Sequence, residues 1–114
     1  MANYIFKTGE IILRCSNGAT ELLHDYLTAI IAKEKIDVSK GINNFIEHLD
    51  QNIYGLGAIG IELDKHLSVK ADRIMLNSLV EKVIKKLKNE GTLDGQIGDR
   101  VIGGLEGFRD KILD

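Results

Sequence analysis

Hydrophobic and polar positions alternate along this chain with two periods, and the helical one dominates. From Ser68 to Glu90, Ile74, Leu76, Leu79, Val80, Val83, Ile84 and Leu87 recur at three- and four-residue intervals, which predicts an amphipathic helix with one buried stripe. Ser68 is its expected cap. Asp72 complements the positive helix end, Lys85, Lys86 and Lys88 complement the negative end, and Gly91 is the stop. Glu81 and Lys85 are spaced for an i,i+4 ion pair on the wet side. A second stripe, Leu22, Leu23, Tyr26, Leu27, Ile30 and Ile31, predicts a helix over Ala19 to Lys35, opened by a Ser16-Asn17-Gly18 turn in which Ser16 or Asn17 can cap. A third, Ile42, Phe45, Ile46, Leu49 and Ile53, starts at Asp37 or Ser39 and runs to Tyr54, with Gly41 weakening its first turn. The fourth, Val101, Ile102, Leu105, Phe108 and Ile112, predicts a helix from Asp99 to Leu113. Gly103, Gly104 and Gly107 each cost that helix about 0.8–1 kcal/mol in propensity, so packing has to hold it.

The short period is confined to two places. Residues 3–15 hold two apolar runs around Thr8-Gly9, which read either as a small hairpin or as the lead-in to a first helix. Ile59, Ile61 and Leu63 alternate as a short strand would, while Ile59, Leu63 and Leu67 fit one helical face equally well. Gly91 to Gly98 reads as a loop or a frayed turn. Proline is absent and glycine occurs twelve times, so the strongest helix breaker is missing and glycine carries the turns. With aromatics at 5% and no Trp, the core is expected to be aliphatic. The expectation is one all-α or mostly-α domain over residues 1–114: an irregular bundle of four to five helices, with room for a short β-hairpin near the N-terminus.

Charge narrows the partners. A formal net charge of −2 gives no bulk field for phosphate backbone or an anionic membrane, so neither nucleic acid nor membrane is an expected partner. The cation-rich segment, residues 70–90, has lysines that suit the end of a helix dipole and reads as a solvated face. A single cysteine, Cys15, cannot form an internal disulfide and fits a reducing compartment. No basic leader with an apolar region opens the chain and no apolar run approaches a membrane span, which makes a cytoplasmic protein the expectation.

Each candidate chemistry has a plainer counterpart. Gly55-Leu56-Gly57-Ala58-Ile59-Gly60 matches the G-x-G-x-x-G string, but what precedes it reads as helix and no strand–helix alternation surrounds it, so it reads as a connection. His24, His48 and His66 sit beside acids in three separate segments without metal-ligand spacing, and no metal or cofactor is expected. Ser16, Ser39 and Ser68 have capping positions, and Cys15 lies in an apolar run as a small hydrophobe would, so no catalytic nucleophile is assigned. The paired acids Glu47 and Asp50, and Glu62 and Asp64, have no apolar enclosure to split their pKa values for acid–base work.

What remains is the placement of acids. Glu47, Asp50, Glu62, Asp64, Asp94, Asp99 and Glu106 flank the two glycine-rich connections, where they read either as one acidic edge that steers a basic partner and covers its cations or as acids scattered for solubility. The stretch Phe45 to Leu67, FIEHLDQNIYGLGAIGIELDKHL, puts an amphipathic helix before a Tyr-Gly turn and an acidic-apolar run. In that stretch, and in its size and mild acidity, the chain resembles the immunity proteins encoded beside contact-dependent growth inhibition and related polymorphic toxins of bacteria. The resemblance implies a non-enzymatic, stoichiometric inhibitor that binds a cognate toxin domain, often a nuclease, and blocks its active site or substrate path. Glu47, Asp50, Glu62, Asp64, Asp94 and Asp99 would meet the toxin's basic cleft, with Tyr54 as an aromatic anchor. The rival reading is a small helical nucleic-acid-binding regulator using Lys82, Lys85, Lys86 and Lys88, although recognition helices present their N-terminal residues to bases. A metal-assisted hydrolase would need the three histidines to converge.

Overall fold

A computed structural model describes residues 2–53, 60–91 and 95–113. The N-terminal segment is the hairpin and not a helix lead-in: β1 (Ala2–Lys7) pairs antiparallel with β2 (Glu10–Ser16), with a register shift between Ile5 and Phe6. Thr8 and Gly9 form the two-residue turn with φ of 50° and 81°. Positive φ at both central positions matches the twist of the flanking strands, and glycine supplies it without a Cβ penalty.

Helix α1 (Asn17–Glu34) follows directly, because Ser16 Oγ accepts the Ala19 N–H at 3.1 Å and caps it. Leu23, Leu27 and Ile30 point inward. Helix α2 (Lys40–Ile53) is opened in the same way by Ser39, whose Oγ accepts the Ile42 N–H at 3.2 Å, and it buries Ile42, Phe45, Ile46 and Leu49. The ambiguous segment after it is strand and then helix. Strand β3 (Gly60–Glu62) pairs parallel to β1, and α3 (Leu63–His66) is a single turn that buries Leu63. The sheet order is β2-β1-β3, so the chain passes through α1 and α2 before a third strand lies beside the first, as a parallel pair requires. This three-stranded sheet is an addition to the expected bundle, while helices still take up most of the described residues.

Helices α4 (Lys70–Glu90) and α5 (Gly95–Ile112) complete the core. In α4, Leu76, Leu79, Val80, Val83, Ile84 and Leu87 are buried as the stripe predicts, and Gly91 ends the helix at φ 57°. Three expectations for this helix are corrected. Ile74 is 51% exposed, one position off the buried stripe. Ser68 does not cap: Val69 occupies the cap position without a side-chain bond, while burial of Leu67 and a 2.7 Å hydrogen bond from Arg73 Nε to the Leu67 carbonyl fix where the helix begins. Glu81 pairs with Arg109 of α5 at 2.6 Å and not with Lys85, and the i,i+4 pair that does form is Lys86–Glu90 at 3.9 Å. Helix α5 starts at Gly95, four residues before the predicted Asp99, with Gly98 buried; it packs Leu105, Phe108 and Ile112 against α4 and β2. Among the described residues, no helix is long and apolar enough to cross a membrane.

Candidate functional site

The acids singled out in the sequence separate into three settings. On α2 the apolar side is buried, which turns Asn43, Glu47 and Asp50 to the opposite side at i, i+4 and i+7. Glu47 is exposed and Asp50 half-buried, and among the described residues no cation lies within ion-pair distance of either. Their charge is therefore available to something outside the molecule.

Glu62 and Asp64 stand at the junction of β3 and α3, which packs beside α2. Glu62 is exposed and lies 3.6 Å from Lys65. Asp64 is committed to the fold: its carboxylate accepts the Thr8 N–H at the hairpin turn at 2.8 Å and an Arg73 Nη2–H from α4 at 3.0 Å. One side chain thus ties the hairpin, α3 and α4 together. Asp99 is exposed on α5, which packs on β2, at the edge of the sheet opposite β3. Glu106 is ion-paired with Lys88 at 3.5 Å. Tyr54 and Asp94 lie outside the described residues.

Two of the three histidines meet. His48 of α2 and His66 of α3 have ring centroids 4.4 Å apart at an interplanar angle of 57°. The Asn44 carbonyl, 3.0 Å away, accepts from His48 Nδ1. Burial first, then the neighbouring His48 and Lys65, push the pKa of His66 below the usual imidazole value. His24 stays apart on α1, 3.0 Å from Asp25. Among the described residues no group of three His, Cys, Asp or Glu side chains is gathered to hold a metal ion.

Cys15 belongs to a polar knot between the hairpin and α1. Thr20 Oγ1 donates to the Ser16 carbonyl at 2.8 Å, accepts from Asn3 Nδ2 at 2.9 Å and lies 3.0 Å from Cys15 Sγ. The hydroxyl proton being used on Ser16, the thiol is left to donate. Burial raises the Cys15 pKa, with the Thr20 contact opposing it weakly, so the group rests as a thiol and not as a nucleophilic thiolate. Of the G-x-G-x-x-G string only Gly60 is described; a Cβ there would stand 2.6 Å from the Phe6 ring, so the glycine answers to packing in the sheet. Of Lys82, Lys85, Lys86 and Lys88 on α4, three are neutralised locally: Lys82 by Glu34 at 2.6 Å, Lys86 by Glu90, and Lys88 by Glu106.

No pattern in the sequence singles out Arg14 and Arg100, yet both line a half-open, mainly apolar cavity between β2, the start of α1 and the first half of α5. The available signal was Gly103, Gly104 and Gly107, whose propensity cost is otherwise unexplained: a Cβ on Gly103 or Gly107 would meet nothing within 4 Å.

No family model matches the chain, and neither a curated protein nor a solved structure matches it significantly.

Proposed function

We propose that this chain is a non-enzymatic immunity protein of the bacterial cytoplasm, which binds a cognate toxin domain and covers its active site or substrate path. The observation that carries the reading is the outward face of α2, where Glu47 and Asp50 stand one turn apart with no described cation to neutralise them. The same helix opens the stretch that resembles the polymorphic-toxin immunity proteins. Uncompensated acids on a rigid helix steer a cationic surface, such as the substrate cleft of a nuclease, and raise its association rate. Asp64 contributes by holding α3 against the hairpin and α4, and Glu62 at the end of β3 is a further exposed acid.

The test begins with the reading frame beside this gene, where a long secreted protein ending in a basic toxin domain is expected, and continues with co-expression of that domain and this chain. A 1:1 complex and rescue of growth are expected. Glu47→Lys with Asp50→Lys should slow association about ten-fold at low ionic strength and much less in high salt, with dissociation little changed. A toxin domain that neither binds nor is neutralised overturns the reading. Association kinetics unmoved by the double reversal remove α2 from the interface.

A further inference from the structure

Helices α2 and α3 meet at a pair of imidazoles. His48 and His66 are half-buried, their ring centroids are 4.4 Å apart, and at 57° the rings are tilted and not stacked flat. Both backbones are pinned. Leu49 beside His48 and Leu67 beside His66 are buried in the core, and the His66 carbonyl stands so close to α2 that a Cβ on Gly41 would come within 2.5 Å of it. Among the described residues no carboxylate lies within ion-pair distance of either ring. Asp64, two residues before His66, is spent on Thr8 and Arg73. Burial, the neighbouring imidazole and Lys65 all disfavour a proton on His66, which keeps it in the neutral form that binds metal ions.

We propose that His48 and His66 together bind one divalent late transition ion of the nickel, copper and zinc class, with water in the remaining positions. Two imidazoles held by one ion at about 2.0–2.1 Å, in neighbouring positions of a square or tetrahedral shell, have ring centroids roughly 4.5–5.2 Å apart. The 4.4 Å separation of the free protein is short of that by less than about 1 Å, which side-chain rotation supplies without moving either helix. His48 is held from behind by the Asn44 carbonyl, 3.0 Å from Nδ1, the outer bond that orients most metal-ligating histidines, and coordination falls to Nε2. A pair of nitrogen donors without a carboxylate suits these ions and not magnesium or calcium, which take oxygen. A bound ion bridges α2 and α3 and stiffens their junction. The site depends on that junction alone, so it stands or falls separately from the binding of a toxin.

Nickel chloride is the probe on the untagged chain, with zinc chloride as a second ion and magnesium chloride as the control. Binding is read by calorimetry, and the histidine ring resonances by NMR. One nickel ion per chain is expected, with a melting temperature that rises with nickel concentration, while magnesium should not bind. Zinc, which is diamagnetic, should shift the ring resonances of His48 and His66 and leave those of His24, the third histidine, in place. His48→Gln and His66→Gln should each weaken nickel by about ten-fold or more, and His24→Gln by less than about two-fold. No saturable nickel binding by the wild-type protein, full affinity in the variant that combines His48→Gln with His66→Gln, or a zinc shift confined to His24 overturns the proposal. The resonances are measured on the unsubstituted protein and decide the matter even where a glutamine variant does not fold.

Discussion

Gly41 offers a test in which helix propensity and packing predict opposite signs. It is the second residue of α2, and Gly41→Ala in an unobstructed helix would stabilise by about 1 kcal/mol. The new Cβ, however, would stand 2.5 Å from the His66 carbonyl oxygen and 3.0 Å from Asp72 Oδ2. The first obstacle is backbone and cannot rotate aside. The next residue, Leu67, is fully buried, so the end of α3 cannot retreat without disturbing the core. Overpacking of this kind costs about 1–3 kcal/mol, and a backbone obstacle belongs in the upper half of that range. After the propensity gain, a net loss of about 1–2 kcal/mol is expected. With a denaturant slope of roughly 2 kcal/mol/M, the middle of the range for small proteins, the urea midpoint should fall by about 0.5–1 M with the slope unchanged. Gly103→Ala is the matched control, since its Cβ meets nothing within 4 Å; it should raise stability by about 0.5–1 kcal/mol. Equal or greater stability for Gly41→Ala would show that α2 and the end of α3 do not approach as closely as described, and the His48–His66 contact would fall with it.

Three further outcomes follow from named contacts. The folded-state pKa of His66 lies below its unfolded value, so the unfolded chain binds more protons; this contribution to stability is complete above about pH 6.5 and is lost as pH falls below it, and urea midpoints between pH 7.5 and 5.5 should drop less in His66→Gln than in the wild type. Leu79→Ala removes a side chain that is 2% exposed and should cost about 2–5 kcal/mol in chemical denaturation, whereas Ile74→Ala, at a 51% exposed position, should stay within about 0.5 kcal/mol. Asp64→Asn weakens two charge-assisted bonds at a partly exposed site and should lower stability by about 1–2 kcal/mol in the absence of any partner; an unchanged midpoint would return Asp64 to the docking surface and deny it a structural role.

What the sequence makes legible is local. The stripes of α1, α2 and α4, the Ser16 and Ser39 caps and the Gly91 stop depend on residues within a turn or two of one another, so periodicity and capping rules reach them. The same rules fail where distant chain segments decide. Ser68 has the chemistry of a cap, but Leu67 is drawn into the core and Arg73 locks its carbonyl. Glu81 has a lysine four residues on, yet Arg109 presents two nitrogens to acids and reaches Glu81 from the next helix. Residues 60–67 looked like strand or helix because they are both, and only the free edge of β1 makes the first three residues extended. For the same reason the acids on either side of residues 55–60 give no hint that Asp64 is tied to Thr8 and Arg73 while Glu47 faces outward. Arg14 and Arg100 stand out in no pattern because the cavity that both line exists only where α5 crosses β2.

The middle strand of the sheet is β1, and its parallel neighbour β3 is translated only after both α1 and α2 have been made. A nascent chain that has reached the end of α2 already carries a hairpin with one bare side, a row of amides and carbonyls waiting for a mate. Until β3 arrives, that side is open to any other extended chain in the neighbourhood. Closing a contact between residues 4–6 and 60–62 also makes the entropic toll heavier than in a plain helical bundle, so maturation should be paced by this late zippering and not by helix formation. Fragments truncated at residue 53 should accordingly associate through β1, while the intact protein stays monodisperse.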